Sequence, residues 1–323
     1  MLNKTEILAP AGNTEAVRAA VNAYADAVYL GGSMFSARAF AGNFDEKELL
    51  DTIDYCHRFG VKVYMAINTL LKNEEIQRLP SYVEPYYRQG VDGIIVQDMG
   101  VVSVLGKSFP DLPLHGSTQL SVSSSQGAAF LKSIGMTRFV PSRELSLSEI
   151  TEIKKNVDIE VETFVHGAMC YSYSGRCLMS SFAGGRSGNR GRCAQPCRMP
   201  YDVYDNGEKI NNRNNSYALS PKDMCALQIL PDVIESGVYS LKIEGRMKNV
   251  TYAAMVTHIY RKYVDMYLER GRKGFKVDKK DIDDISDIYN RGAFTTGYYD
   301  SVKGKKMMSL GRPNHMGTEC LKV

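Results

Sequence analysis

The chain has 323 residues, of which 44% are hydrophobic and 24% charged, and its formal net charge is +4. Those figures are those of a soluble globular protein with length for one large α/β domain or two ordinary ones. No apolar run approaches a membrane span, and the small positive charge permits an anionic partner without demanding one.

In chain order, the first unit reads EILAPAG, then a helical stretch capped by Asn13 with Ala16, Val17, Ala20 and Val21 on one face, then DAVYLGG. This is βαβ grammar, a buried strand, an amphipathic helix and a second buried strand. It repeats. Strands are expected at 7–10, 27–30, 61–67, 93–96, 114–117, 138–141, 159–165 and 239–243. Helices are expected between them at about 45–59, 74–89, 99–108, 122–134, 146–156, 223–236 and 250–270. Eight strand–helix units over this length predict a (β/α)8 TIM-like barrel, with a doubly wound open sheet as the competing arrangement. The barrel is expected over 1–275, with 168–222 as an insertion after strand seven. The rest, 276–323, is polar and glycine-rich with short β-like runs, too small for a core of its own.

In a barrel the chemistry collects at the C-terminal strand ends. Here those ends carry Pro10-Ala11-Gly12, Gly31-Gly32 through Arg38, Asn68, Gln97-Asp98, Ser117-Thr118-Gln119, Ser142-Arg143-Glu144, His166 and Glu244-Gly245-Arg246. Each alone reads as readily as a loop cap; their shared location is the stronger signal. Lys242 and Glu244 fall on one face of the eighth strand, and Arg246 lies just beyond it. That trio suits a carboxylate-bearing ligand, or alternatively a structural ion pair closing the barrel. His166 is either a general acid–base or a clasp for the loop that follows it.

That loop holds the densest chemistry in the chain. Four of the seven cysteines lie at Cys170-x6-Cys177-x15-Cys193-x3-Cys197, and Cys225 follows after x27. The sequence MLNKTEILAP lacks a charged-then-apolar signal, so structural disulfides are not expected and a cytoplasmic setting is. Zinc favours closely paired ligands, which only Cys193 and Cys197 approach. Iron–sulfur clusters accept scattered loop cysteines with one distant ligand, and the spacing favours them. Unconnected buried thiols are the bland alternative. Arg176, Arg186, Arg190, Arg192 and Arg198 are interleaved with Tyr171, Tyr173 and Phe182. Arginine with aromatic residues on a glycine-rich loop fits stacking and phosphate contacts with single-stranded RNA. No H-E-x-x-H or G-x-S-x-G motif is present, and the histidines are dispersed.

FVHGAMCYSYSGRCLMSSFAGGRSGNRGRCAQPCR, with EILAPAGNTEAVRAAVNAYADAVYLGG, FSARAFAGNF, SPKDMC and SLKIEGRMK, resembles the collagenase-like peptidase family of unassigned catalytic type, family U-32. The resemblance implies a barrel, in agreement with the strand count. Members carry the protease name, yet several are oxygen-independent hydroxylases with a 4Fe–4S cluster. Those hydroxylate transfer-RNA uridine or ribosomal-RNA cytidine with prephenate as oxygen source, or act in ubiquinone synthesis. Carried over by position, the cluster ligands would be Cys170, Cys177, Cys193 and Cys225, with Cys197 a spare thiol. Family members often continue into a C-terminal β-barrel domain, and GRPNHMGTECLKV resembles its first strand, so a partner chain supplying that domain is one expectation.

The expectation is therefore an RNA hydroxylase acting on tRNA, with a peptidase or a non-catalytic RNA-binding subunit as alternatives. His166, Glu244, Lys242 and Gln119 are the candidate catalytic residues. Arg38, Arg143, Arg246 and Asn68 are expected to hold prephenate, a small dicarboxylate, and Arg186, Arg190, Arg192 and Tyr173 to contact RNA.

Overall fold

The computed structural model describes residues 5–37, 43–300 and 304–313. Seven strands come first: β1 (Glu6–Pro10), β2 (Ala27–Leu30), β3 (Lys62–Ile67), β4 (Gly93–Val96), β5 (Leu114–Gly116), β6 (Arg138–Phe139) and β7 (Glu160–Gly167). The helices between them are α1 (Thr14–Asn22), α2 (Glu46–Arg58), α3 (Asn73–Arg88), α4 (Met99–Ser108), α5 (Ser125–Ser133) and α6 (Leu147–Asn156). Beyond β7 lie α7 (Met179–Gly184), a hairpin of β8 (Tyr204–Asp205) and β9 (Glu208–Lys209), then β10 (Asp223–Cys225) and α8 (Leu230–Glu235). The chain continues through β11 (Ser240–Ile243), α9 (Val250–Gly274), α10 (Lys279–Ile288) and β12 (Phe294–Thr295).

Strands β1 to β7 pair in sequence order, all parallel, and β11 pairs with both β1 and β7. The sheet is thus a closed eight-strand barrel, as the strand count predicts. Caps set the helix starts. Asn13 accepts the amide of Ala16 at 2.8 Å, and Asp45 and Ser146 form reciprocal boxes with Glu48 and Glu149. Among the described residues no helix is long and apolar enough to cross a membrane.

Register fixes which side chains fill the barrel. Leu8 lies opposite Ala27 and Lys242, Tyr29 opposite Tyr64, and Ile95 opposite His115, which lies opposite Arg138. With side chains alternating along each strand, these residues and Glu6, Glu162 and Phe164 face inward. Leu8, Ala27, Tyr29, Tyr64 and Ile95 form an apolar cluster separate from the larger one between sheet and helices.

The remaining interior is charged. Arg138 binds Glu6 at 2.7 Å and Glu160 at 2.9 Å and reaches Glu162 at 3.4 Å. Lys242 binds the other oxygen of Glu162 at 2.6 Å, and the hydroxyl of Tyr64 donates to Glu6 at 2.8 Å. Burial, then Arg138, Lys242 and Lys62, drive the pKa of His115 well down, so its ring is neutral.

One expectation is corrected. The helix expected at 223–236 begins as β10, which pairs antiparallel with β7 (Met224 with Gly167, Cys225 with His166), and only 230–235 is α-helical. Among its described residues the tail after 275 has one short β run, the two-residue β12 beside β10, and also α10, whose buried residue is Ile285.

Candidate active site

The segment after β7 arches over the barrel mouth because it is tied to four different strand-end loops. Past β2, the backbone of Gly191 lies so close that a Cβ there would be 2.5 Å from the carbonyl of Ser36. Past β3, the Leu70 amide donates to Asn189 at 3.1 Å, and Arg190 clasps Glu75 through both guanidinium ends at 2.7 and 2.8 Å. Past β5, Ser121 donates to the carbonyl of Ser174. There Gly175 packs with positive φ so tightly that a Cβ would be 2.1 Å from the carbonyl of Gln119. Past β6, Glu144 accepts the amide of Ser174 at 2.9 Å.

Beneath this cover, cations gather around two aromatic rings. Arg143 stacks on Phe164, 3.9 Å from its centroid, and approaches Glu244 at 3.6 Å. Lys242 lies 4.4 Å from the Tyr29 centroid and 5.6 Å from that of Phe164, and Arg246 lies 5.7 Å from Tyr29. Arg246 donates to the hydroxyl of Ser36 at 2.8 Å. Two glycines make room for it: a Cβ on Gly12 would be 2.1 Å from the Arg246 carbonyl, and one on Gly31 2.7 Å from its guanidinium. Asn68 joins this group by accepting the amide of Ala37 at 2.9 Å. Arg143, Arg246, Glu244 and Asn68 are thus brought together, while Arg38 lies outside the described residues.

Other expected residues sit elsewhere or are engaged. Lys242 does not pair with Glu244. Its ammonium turns inward to Glu162 at 2.6 Å, while Glu244, just past the end of β11, approaches Arg143 at 3.6 Å. Lys242 and Glu162 form a structural ion pair. His166 is buried, its ring 5.9, 5.7 and 5.3 Å from those of Tyr252, Tyr260 and Phe294. Both its ring nitrogens lack a hydrogen-bond partner among the described residues. Burial, with Lys248 adding to it, brings its pKa down to about 3. It cannot serve as a solvent-side acid–base. Gln119 contributes mainly its backbone, against Gly175, and its side-chain oxygen is buried without a partner among the described residues. Asp98, also a strand-end residue, caps α4 and accepts the amide of Leu71 at 3.0 Å.

Cys170, Cys177 and Cys193 are exposed, Cys197 is partly buried and Cys225 is buried. Burial raises the pKa of Cys197, Arg198 opposes it, and Cys170, Cys193 and Cys177 add to it, so these four thiols share one neighbourhood. Cys225 has different surroundings. Its sulfur faces the hydroxyl of Tyr260 at 3.9 Å, and burial, against donors from Leu227 and Tyr260, raises its pKa. The Gln195 amide donates to the sulfur of Cys193 at 3.3 Å, a contact typical of metal-bound thiolates. As the chain stands, no three metal-ligating side chains among the described residues converge to ion-holding distance.

Of the expected RNA contacts, Tyr173 is 71% exposed, as Phe182 is at 85%, and Arg192 is exposed. Arg186 donates to the carbonyl of Arg192 at 3.1 Å. Arg190 is the exception, because Glu75 and the Leu70 carbonyl hold it to the barrel. Sequence reading missed Lys248, which sits in the turn after β11 and whose signal was only its place beside Arg246.

A closed parallel barrel with ionisable side chains at its mouth, under a thiol-rich cover, places this chain among the TIM-barrel proteins whose chemistry sits at strand ends. It belongs to peptidase family U32, whose sequence model matches residues 12–309. The chain is 37% identical over 313 residues to tRNA hydroxylation protein P1 of Bacillus subtilis, covering 95% of this chain and 74% of that protein. A 23S rRNA 5-hydroxycytidine synthase of Escherichia coli is 38% identical over 267 residues, covering 83% of this chain and 40% of that one. A protein named collagenase from Porphyromonas gingivalis is 30% identical over 311 residues, covering 92% and 74%. A solved U32 peptidase superposes with a TM-score of 0.50 at 17% identity, over 75% of this chain and 94% of that one, a likeness of fold.

Proposed function

We propose that this chain hydroxylates RNA, with a tRNA uridine as target, prephenate as oxygen source and an iron–sulfur cluster held by the insertion. The observation that carries the reading is the insertion's position. It lies across the barrel mouth and turns thiols, arginines and the rings of Tyr171, Tyr173 and Phe182 to solvent. Bases stack on such rings, and arginines meet the phosphates. The relatives named for tRNA and rRNA hydroxylation support the substrate class, and the coverage of the tRNA protein's length supports tRNA.

The residues present suit a thiolate-bound cluster in kind. Cys170, Cys177 and Cys193 would hold it, and Cys197, which shares their neighbourhood, is a better fourth ligand than Cys225, which faces Tyr260 in the core. Such a cluster, when bound, supplies one-electron chemistry. The protein's own part is to bind and orient. Arg246, seated between Gly12 and Gly31, presents a planar fork suited to one carboxylate of prephenate. Arg143 suits the other, because its 3.6 Å approach to Glu244 is long for an ion pair and can yield to a substrate carboxylate. The insertion then closes over the bound acid and excludes water.

Peptide hydrolysis has less support. Among the described residues no histidine hydrogen-bonds a serine or cysteine, and His166 lies in the core. The test is deletion of the gene followed by nucleoside mass spectrometry of tRNA and rRNA, with re-expression of the chain. One hydroxylated tRNA nucleoside should vanish and return. If none changes, and the pure protein cuts gelatin, the peptidase reading replaces this one.

A further inference from the structure

Lys248 lies in the turn from β11 to α9, its backbone amide bonded to the Gly245 carbonyl at 2.8 Å. Its ammonium rests on Tyr289, 2.8 Å from the ring centroid, with Tyr252 at 5.9 Å. Among the described residues no carboxylate comes within ion-pair distance of it. The nearby carboxylates have other partners: Asp223 binds Arg291 at 3.2 Å, and Glu244 approaches Arg143. The charge of Arg198 also acts on Lys248, the Arg198 guanidinium being held by the carbonyl of Met169 at 2.6 Å and the hydroxyl of Ser220 at 2.8 Å. His166, buried and without a hydrogen-bond partner among the described residues, is near enough to feel the Lys248 charge. A lysine set into an aromatic wall, without a counter-ion and beside two guanidinium groups, has the surroundings that turn an ammonium into an amine nucleophile.

We propose that Lys248 is a nucleophilic amine that condenses with the carbonyl group of a small 2-oxo acid at the barrel mouth. The lone pair on Nζ attacks the carbonyl carbon, and the carbonyl oxygen leaves as water with both amine protons. A C=N bond replaces the C=O bond with no change in oxidation state, so neither oxidant nor reductant is needed. The local charge selects an acid rather than a simple ketone, since the cations Lys248, Arg291 and Arg198 outnumber the carboxylates Asp223 and Glu244 there. Burial, with Arg291 and Arg198, brings the pKa of Lys248 down to about 7 against Asp223 and Glu244, which leaves much of the amine neutral near neutrality. Prephenate carries a 2-oxo acid side chain, so the amine would also anchor the co-substrate of the proposed reaction. The condensation itself does not depend on that reading.

The experiment is reductive trapping on the full chain, with pyruvate and sodium cyanoborohydride, followed by peptide mass mapping. Lys248 should be labelled at least about tenfold faster than any exposed lysine. Its labelling should rise with pH through about 7. Lys248→Arg, which keeps the charge but not the nucleophile, should lose that label and keep the circular dichroism spectrum. Acetone, which lacks the carboxylate, should trap more slowly. Labelling spread evenly over surface lysines in the wild-type chain overturns the proposal whatever the variant does. Acetone trapping as fast as pyruvate overturns the choice of a 2-oxo acid. RNA hydroxylation is read separately, so failure here leaves the RNA reading standing.

Discussion

Glu162 and Lys242 test whether the charges inside the barrel are structural. Glu162 is fully buried on β7; one oxygen takes Lys242 at 2.6 Å and the other faces Arg138 at 3.4 Å. Glu162→Gln removes the charge that balances Lys242 and leaves a buried ammonium uncompensated, which costs about 3–5 kcal/mol. Lys242→Met is milder, because Glu162 keeps Arg138: the loss is one charge-assisted hydrogen bond, about 1.5–3 kcal/mol. The double variant replaces the pair by neutral groups of similar volume and should return to within about 2 kcal/mol of the parent. Urea unfolding measures all four proteins, with an unchanged m-value showing that only stability has moved. A coupling of about 2 kcal/mol or more is expected, since contacting residues do not add. Additive losses would refute the ion pair. Lys242→Met that unfolds normally yet abolishes RNA hydroxylation would restore Lys242 to the catalytic residues.

Three further outcomes are expected. Arg190→Ala should free the insertion near 188–192, seen as faster hydrogen exchange there, at a cost of only about 1 kcal/mol because the pair is partly exposed. Hydrogen bonds from Arg190 and the Lys72 amide hold the pKa of Glu75 at about 2, below its usual 4.5; the clasp is therefore fully present above pH 4.5 and lost as pH falls towards 2, a step the variant should lack. After anaerobic reconstitution, Cys197→Ser should lose iron and sulfide as Cys170→Ser does, while Cys225→Ser retains them; the reverse pattern would reinstate Cys225. Arg192→Ala should lower the slope of log affinity for tRNA against log salt by about 0.7–0.9, whereas an unchanged slope would remove Arg192 from the phosphate contacts.

The barrel was legible because parallel strands buried on both faces leave continuous apolar runs, and the first helix announces itself by its cap, Asn13. β10 was not, since a strand of three residues is too short to carry a period, and Asp223-Met224-Cys225 runs into helical spacing. The partners of Lys242 and Arg190 lie 80 and 115 residues away, beyond any local pattern. Against β11 the register skips Val165 of β7, so the alternation along β7 breaks just before His166. His166 was misjudged for a related reason. Its neighbour in sequence is the cysteine loop, but its neighbours in space are the tyrosines of α9.

Those long-range pairs also divide the cations near the mouth into two kinds. Lys242 faces Glu162 at 2.6 Å and Arg291 faces Asp223 at 3.2 Å, each with a carboxylate that is 0–2% exposed. Such pairs are fixed, because pulling either cation away would leave a buried charge behind. Arg143 is different: its carboxylate stands 3.6 Å away, and its guanidinium carbon lies 3.9 Å from the Phe164 ring centroid. Lys248 rests on the ring of Tyr289. A ring face holds a cation by about 0.5–2 kcal/mol, less than a desolvated carboxylate of a bound acid can offer. An incoming dicarboxylate would therefore move Arg143 and Lys248 before it disturbed Lys242 or Arg291. A barrel that takes up such an acid would then keep the ion pairs that fill it.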